Sequence, residues 1–180
     1  LKEIEEAIQK WKNRQERSHK QKILEIHSCL RVEYHEVQKD ASISYVTINK
    51  PPVNALDERA LEELNIVIEH LSRSTEITVV LITGSGTKSF VSGADIKQLL
   101  QEMHKVEDVI PLPNEAALAT QKIEAMNKPV IAAVNGVALG GGNEFQMACH
   151  YRIAEPFALF GQPEIALHML HGYGGTQRLP

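Results

Sequence analysis

The chain has 180 residues, 43% of them hydrophobic and 23% charged, with a formal net charge of −4. That length supports one well-packed domain, and the acidic balance with scattered aromatics excludes a basic or base-stacking surface for nucleic acid. Cys29 and Cys149 form no C-x-x-C pair, which argues against structural zinc or a disulfide framework, and the most apolar run, 129–142, is too short to cross a bilayer.

Residues 1–29 read as a helix and linker ahead of a domain spanning 30–180. Leu1, Ile4, Ile8 and Trp11 recur at helical spacing, and Glu6–Lys10 and Glu16–Lys20 are i,i+4 pairs. Residues 12–22 are almost wholly polar, the pattern of a solvated helix or linker; a partner-binding helix is the alternative. Two β-like runs follow, 30–37 and 43–48, with a hairpin turn expected at 38–41. Lys50-Pro51-Pro52-Val53-Asn54 breaks regular structure. A helix fits 57–72, with Asp57 as its N-cap and Leu61, Leu64, Ile68 and Leu71 on one face. The apolar run 77–83 predicts a strand buried on both faces. Helices are expected over 94–103 and 114–126, separated by Pro111-Leu112-Pro113. Strands are expected at 129–135 and from Tyr151 to Ala154, with a short helix between them. The order β-β-α-β-α-β points to an α/β domain.

The chemistry concentrates in glycine-rich turns and two acids. Gly140-Gly141-Gly142-Asn143-Glu144 ends in one carboxylate, and Glu164 follows 20 positions later. Glycines bare backbone N–H groups to a ligand oxygen. Gly93-Ala94 is a second small-residue loop opening a helix, so two helix N-termini could converge on one oxygen. A triple glycine can also serve only tight packing; the second loop raises the functional reading. Leu99, Leu100, Met103 and Leu118 are candidates for an apolar pocket, with ordinary core the preferred role for most of them.

Other signals carry less. Gly84-Ser85-Gly86-Thr87-Lys88-Ser89 lacks the glycine that a phosphate loop needs directly before Lys-Ser. His150, His168 and His171 have no Asp or Cys at metal-ligand spacing, and packing or exposure is the preferred reading, so no metal is expected. Asp95 reads as a cap on the following helix rather than a catalytic acid.

Six stretches, in order, resemble the crotonase superfamily, that is, the enoyl-CoA hydratase/isomerase enzymes. They are Pro51-Pro52-Val53-Asn54-Ala55-Leu56, Phe90-Val91-Ser92-Gly93-Ala94-Asp95-Ile96-Lys97, and Lys128-Pro129-Val130-Ile131-Ala132-Ala133-Val134-Asn135-Gly136. Then come Ala138-Leu139-Gly140-Gly141-Gly142-Asn143-Glu144, Phe160-Gly161-Gln162-Pro163-Glu164 and Gly172-Tyr173-Gly174-Gly175-Thr176-Gln177-Arg178-Leu179-Pro180. The resemblance covers about 32–180 and implies an α/β fold, a spiral of ββα units. It implies an oxyanion hole at the N–H groups of Ala94 and Gly141. Coenzyme A, as part of the substrate rather than a separate cofactor, would lie near Ala55, Leu56, Ser92, Asp95, Ile96 and Gly172.

By the same resemblance Glu144 and Glu164 are the catalytic pair for syn addition of water to a 2-enoyl-CoA. Glu144 acts toward the water that attacks C3, and Glu164 holds that water and supplies the proton to C2. Isomerases of the family commonly keep only the second acid, so two acids favour hydration. Isomerisation, or acyl-CoA hydrolysis or lysis, is the enzymatic alternative, and a non-catalytic assembly module the non-enzymatic one. The family also implies a homotrimer or hexamer in a cytoplasmic, mitochondrial or peroxisomal setting, without nucleic acid or membrane. The chain departs at His150, at His171 where many members have proline, in its N-terminal segment, and in ending before the family's usual C-terminal helical region.

Overall fold

The computed structural model describes residues 22–24, 29–38, 41–98 and 111–180. The helix expected in the first 21 residues, the turn residues Lys39 and Asp40, and the candidates Leu99, Leu100 and Met103 lie outside the described residues. Lys22–Leu24 (β1), placed in a linker by the sequence, instead adds a strand antiparallel to Leu30–Gln38 (β2). The free edge of β2 offers backbone donors and acceptors that a neighbouring extended segment can satisfy.

The main sheet has six strands in the order β1-β2-β3-β4-β6-β8. β2 and Ala41–Ile48 (β3) form the expected antiparallel hairpin. From there the sheet is parallel, through Ile77–Gly84 (β4), Val130–Val134 (β6) and Tyr151–Ala154 (β8). A second, parallel sheet holds Ser89–Val91 (β5), Val137–Leu139 (β7) and Leu159–Gly161 (β9). Each turn of the chain therefore gives one strand to the large sheet, one to the small sheet, and then a helix. Pro111–Glu124 (α2) follows β4 and β5, Gly141–Ala148 (α3) follows β6 and β7, and a 3-10 helix, Pro163–Leu167, follows β8 and β9. β3 starts the series: after it, Leu56 bridges to Ala94 beside the small sheet and Glu58–Arg73 (α1) follows. This is the ββα spiral that the resemblance implies.

The first helix forms as its sequence dictates. Asp57 caps it by accepting from Ala60 N at 2.9 Å. Leu61, Leu64, Ile68 and Leu71 are all buried, and α1 packs on α2. α2 begins at Pro111 rather than 114. Prolines in the first turn lose no hydrogen bond, because the first N–H groups of a helix have no intrahelical acceptor.

Two expectations about burial change. In β4, Ile77, Val80 and Ile82 are buried but Val79 and Leu81 are only half-buried, so one face alone is fully covered. Leu118 is 41% exposed and belongs to neither core nor pocket.

Candidate active site

The N-terminus of α3 meets the end of β5 because glycine removes every intervening side chain. A Cβ on Gly142 would fall 2.1 Å from Val91 O, and one on Gly93 would fall 3.0 Å from Leu139 O and 3.7 Å from Gly141 N. The two loops singled out in the sequence are thus in contact. Gly141 is the first residue of α3, where a backbone N–H has no acceptor within the helix. The sequence suggested a helix starting at Ala94, but helical backbone starts at Ile96. The orientation of Ala94 comes from the bridge to Leu56, in which Leu56 N donates to Gly93 O and Asp95 N donates to Leu56 O. In such a parallel bridge the flanking residues make the bonds, so the N–H of Ala94 itself faces the other way. Both Ala94 and Gly141 line one pocket.

Glu144 sits on the first turn of α3, is 1% exposed and lines that pocket. Its Oε1 accepts from Tyr173 N at 2.9 Å and Gly175 N at 2.6 Å. Burial pushes its carboxyl above the ordinary range; the two N–H donors pull it back in part, and nearby Glu164 adds to the rise. A carboxyl tuned upward in a pocket is suited to proton transfer near neutral pH.

Glu164 enters from the 3-10 helix and lines the same pocket. A Cβ on Gly140 would lie 2.6 Å from its Oε1, so the glycine turn carrying Gly141 also makes room for the second acid. The Gln162 amide, turned to satisfy its neighbours, donates to Gly140 O and Glu164 Oε2, each at 3.2 Å. His171 Nδ1 stands 3.3 Å from the same Oε2. The stretch 171–175 is therefore a strap that touches both acids.

The pocket encloses ≈ 700 Å³, counting space open to solvent. Of the residues expected to meet coenzyme A, Ser92, Ile96 and Gly172 line it. Ala55, Leu56 and Asp95 do not; they lie on the adjoining bridge, and Leu56 is fully buried with only backbone to offer. Asp95 caps the next turn, its Oδ1 accepting from Lys97 N at 3.1 Å. Lys50 pairs with Asp57 and lies 3.7 Å from Asp95 Oδ2. The remaining wall comes from Pro113, Pro163, Leu167, Met169, Leu170 and Tyr173, which sequence reasoning missed as pocket residues. The three histidines separate in role. His150 Nδ1 accepts from Val130 N at 3.1 Å, His168 takes a left-handed backbone at the end of the 3-10 helix, and His171 meets Glu164.

Comparison with known proteins agrees with the fold. The sequence profile of the family described as enoyl-CoA hydratase/isomerase matches residues 38–180. The chain belongs to that family. It is 45% identical over 146 residues to a short-chain-enoyl-CoA hydratase of Clostridium acetobutylicum, covering 79% of this chain and 54% of that protein. It is 44% identical over 149 residues to a crotonyl-CoA hydratase of Syntrophomonas wolfei, covering 80% and 55%. The chain thus spans about half the length of these curated relatives (54% and 55%). The crystal structure of an enoyl-CoA hydratase from Bacillus anthracis superposes with a TM-score of 0.78 at 34% identity, covering 85% of this chain and 57% of that one. The spiral fold is accordingly that of enoyl-CoA hydratase/isomerase enzymes.

Proposed function

We propose that the protein is an enoyl-CoA hydratase, a lyase that adds water to a 2-enoyl-CoA thioester. The observation that carries this reading is that Glu144, Glu164, Ala94 and Gly141, the residues expected to supply two carboxylates and two backbone N–H groups, all line one pocket. The identity to proteins named as short-chain and crotonyl-CoA hydratases supports the same substrate class.

The chemistry follows from polarity. C3 of an α,β-unsaturated thioester accepts water poorly until its carbonyl oxygen is stabilised as an enolate. The N–H groups of Ala94 and Gly141 supply that stabilisation, and losing one such donor typically costs about 3–4 kcal/mol of barrier. Glu144 takes a proton from the attacking water as its oxygen bonds to C3. Glu164 gives a proton to C2 as the enolate collapses. The proton left on Glu144 then replaces the one lost from Glu164, so water is consumed and both acids are reset. Both carboxylates line the same pocket, which is compatible with the syn addition expected of the family. Hydration is redox-neutral, so coenzyme A enters as part of the substrate.

The rest of the reading follows the family: a homotrimer or hexamer, in the cytoplasm or an organelle of fatty-acid oxidation. Among the described residues no helix is long and apolar enough to cross a membrane. Exposed Tyr151, Ile153, Phe157 and Leu159 supply apolar surface of the kind assembly would cover.

The deciding experiment is Glu164→Gln in the intact protein, assayed with a 2-enoyl-CoA. Turnover should fall by roughly 10²–10⁴ while binding of the CoA ester persists. Near-normal turnover would sink the reading. Conversion of a 3-enoyl-CoA, without hydration of a 2-enoyl-CoA, would assign the site to isomerisation.

A further inference from the structure

The strap that holds Glu144 is itself held from outside the pocket. Tyr173 N and Gly175 N both donate to Glu144 Oε1, and the Tyr173 carbonyl lies between them in the chain. That carbonyl accepts from Arg178 Nη1 at 2.7 Å. The other two guanidinium nitrogens, Nε and Nη2, donate to Glu124 Oε1 at 2.7 Å and Oε2 at 2.8 Å. One planar fork, with all three nitrogens engaged, thus ties the strap to the last residue of α2. Arg178 does not line the pocket, so any effect on the substrate must pass through the strap and Glu144.

The backbone makes room for this fork. Gly174 has φ of 100°, and a Cβ there would fall 2.0 Å from Arg178 Nη1. Glycine is therefore needed twice over, for the left-handed turn and for the close pass of the guanidinium. A single helical turn, Gly175–Arg178, brings the arginine back over the strap. Its hydrogen bonds hold the Glu124 carboxyl below the ordinary range, so the pair stays ionised at neutral pH. The Glu124 side chain is 47% exposed, and an ion pair so exposed adds little to stability. Its consequence is direction: both bonds to Glu144 fall on Oε1, so the strap sets how that carboxylate is turned.

We propose that Arg178 and Glu124 form a positioning clamp for Glu144, fixing the Tyr173 carbonyl so that the N–H groups on either side of it are aimed at Oε1. The proposal rests on the hydratase reading, in which Glu144 takes the proton from the attacking water. Without Glu124 the guanidinium swings free, the Tyr173–Gly174 peptide loses its outer anchor, and the two N–H donors loosen. A carboxylate with weaker donors binds its proton more tightly and leaves the reacting geometry.

The test uses Glu124→Ala, Arg178→Lys and the double variant in the intact protein, assayed with a 2-enoyl-CoA. Arg178→Lys keeps the charge and loses the fork. Glu124→Ala alters only a half-exposed side chain at a helix end. Each single variant should lose roughly 10- to 100-fold in kcat with KM near wild type, and the double variant no more than the worse single. Near-normal kcat, losses that multiply, or a change confined to KM would overturn the proposal. A second readout does not depend on turnover: carbon-13 NMR titration of the Glu144 carboxyl, assigned by its absence in Glu144→Gln. Glu164 and His171 also bear on Glu144, but both are the same in wild type and Glu124→Ala, so comparing these two isolates the clamp. Deleting a negative charge would by itself lower the proton affinity of Glu144, whereas loosening its N–H donors raises it. The Glu144 transition should therefore move to higher pH in Glu124→Ala. No movement, or movement to lower pH, would overturn the clamp even in an active enzyme. If wild type hydrates no 2-enoyl-CoA while the transition moves up, the hydratase reading fails and the clamp stands.

Discussion

Gly175 donates its backbone N–H to Glu144 Oε1 at 2.6 Å, and only the absence of a side chain permits that approach. A Cβ there would lie 2.8 Å from the same oxygen. Gly175→Ala must therefore push the carboxylate away from the strap. Crowding of this kind typically costs about 1–3 kcal/mol. The variant should unfold at lower urea concentration and lose hydration rate, since Glu144 leaves its held position. A variant with wild-type stability and rate would mean the strap yields freely.

Glu144 also gives the fold a pH dependence of known sign. Its carboxyl is raised by burial above the 4.5 of a free glutamate. Between that value and the raised one, the folded state binds more protons than the unfolded state. The contribution of this group is thus fully present at low pH and declines as pH rises through the folded transition. Glu144→Gln removes the dependence. The difference in unfolding free energy between Glu144→Gln and wild type should grow in favour of the variant as pH rises above about 4.5, then level off. Urea titrations at a series of pH values measure it. A difference that shrinks with rising pH would show that the two N–H donors outweigh burial.

What was legible in the sequence is what depends on neighbours along the chain. Asp57 caps α1 because a helix start needs an acceptor for Ala60 N, three residues away. The glycine loops, Glu144 and Glu164 were visible because short motifs carry them. Contacts set by the spiral were not. Glu63 lies on the buried side of α1, against a simple polar-out pattern, because its Oε2 accepts from Cys29 N, 34 positions away. The contact of His171 with Glu164 was equally hidden: the sequence showed a histidine after an apolar pair, and only the 3-10 helix turns it back onto the acid. Val79 and Leu81 misled because an apolar run reports composition and not how many layers cover it.

Asn54 and Asn135 hold the loop between β4 and β5 from two sides. Asn54 Nδ2 donates to Ser85 O at 3.0 Å and to Ser89 O at 2.8 Å, and its Oδ1 accepts from Lys50 N at 3.0 Å. Asn135 Nδ2 donates to Gly84 O at 2.7 Å and Gly86 O at 2.8 Å. Asn54 is 2% exposed and has φ of 56°, a left-handed backbone that asparagine tolerates better than alanine. Asn54→Ala loses the side-chain bonds and keeps the strained backbone. A loss of about 2–4 kcal/mol is expected in chemical denaturation. Because Asn54 precedes Leu56 and its bridge to Ala94, the hydration rate should fall as well. A loss under 1 kcal/mol, on the scale of ordinary surface changes (about 0.5 kcal/mol), would show that water replaces the side chain.

Tyr173 separates packing from polarity at the site. Its ring presses on Gly141, where a Cβ would fall 2.4 Å from Cε2. Its backbone N–H donates to Glu144, and its carbonyl accepts from Arg178 Nη1 at 2.7 Å. The residue is 4% exposed, yet its hydroxyl is buried with no hydrogen-bond partner among the described residues. An unpaired buried hydroxyl costs about 1–3 kcal/mol. Tyr173→Phe keeps the ring and the backbone bonds and removes only that cost, so the variant should be as stable as wild type or more stable by about 1 kcal/mol. Tyr173→Ala instead removes the ring that backs Gly141 and should destabilise by about 3–5 kcal/mol. It should also slow hydration, because the start of α3 loses the surface that fixes the direction of the Gly141 N–H. Thermal and urea unfolding of the two variants side by side give the answer. If Tyr173→Phe were destabilised as much as a core truncation, the hydroxyl would have to hold a bond, and Gly141 would be fixed by polarity rather than by packing.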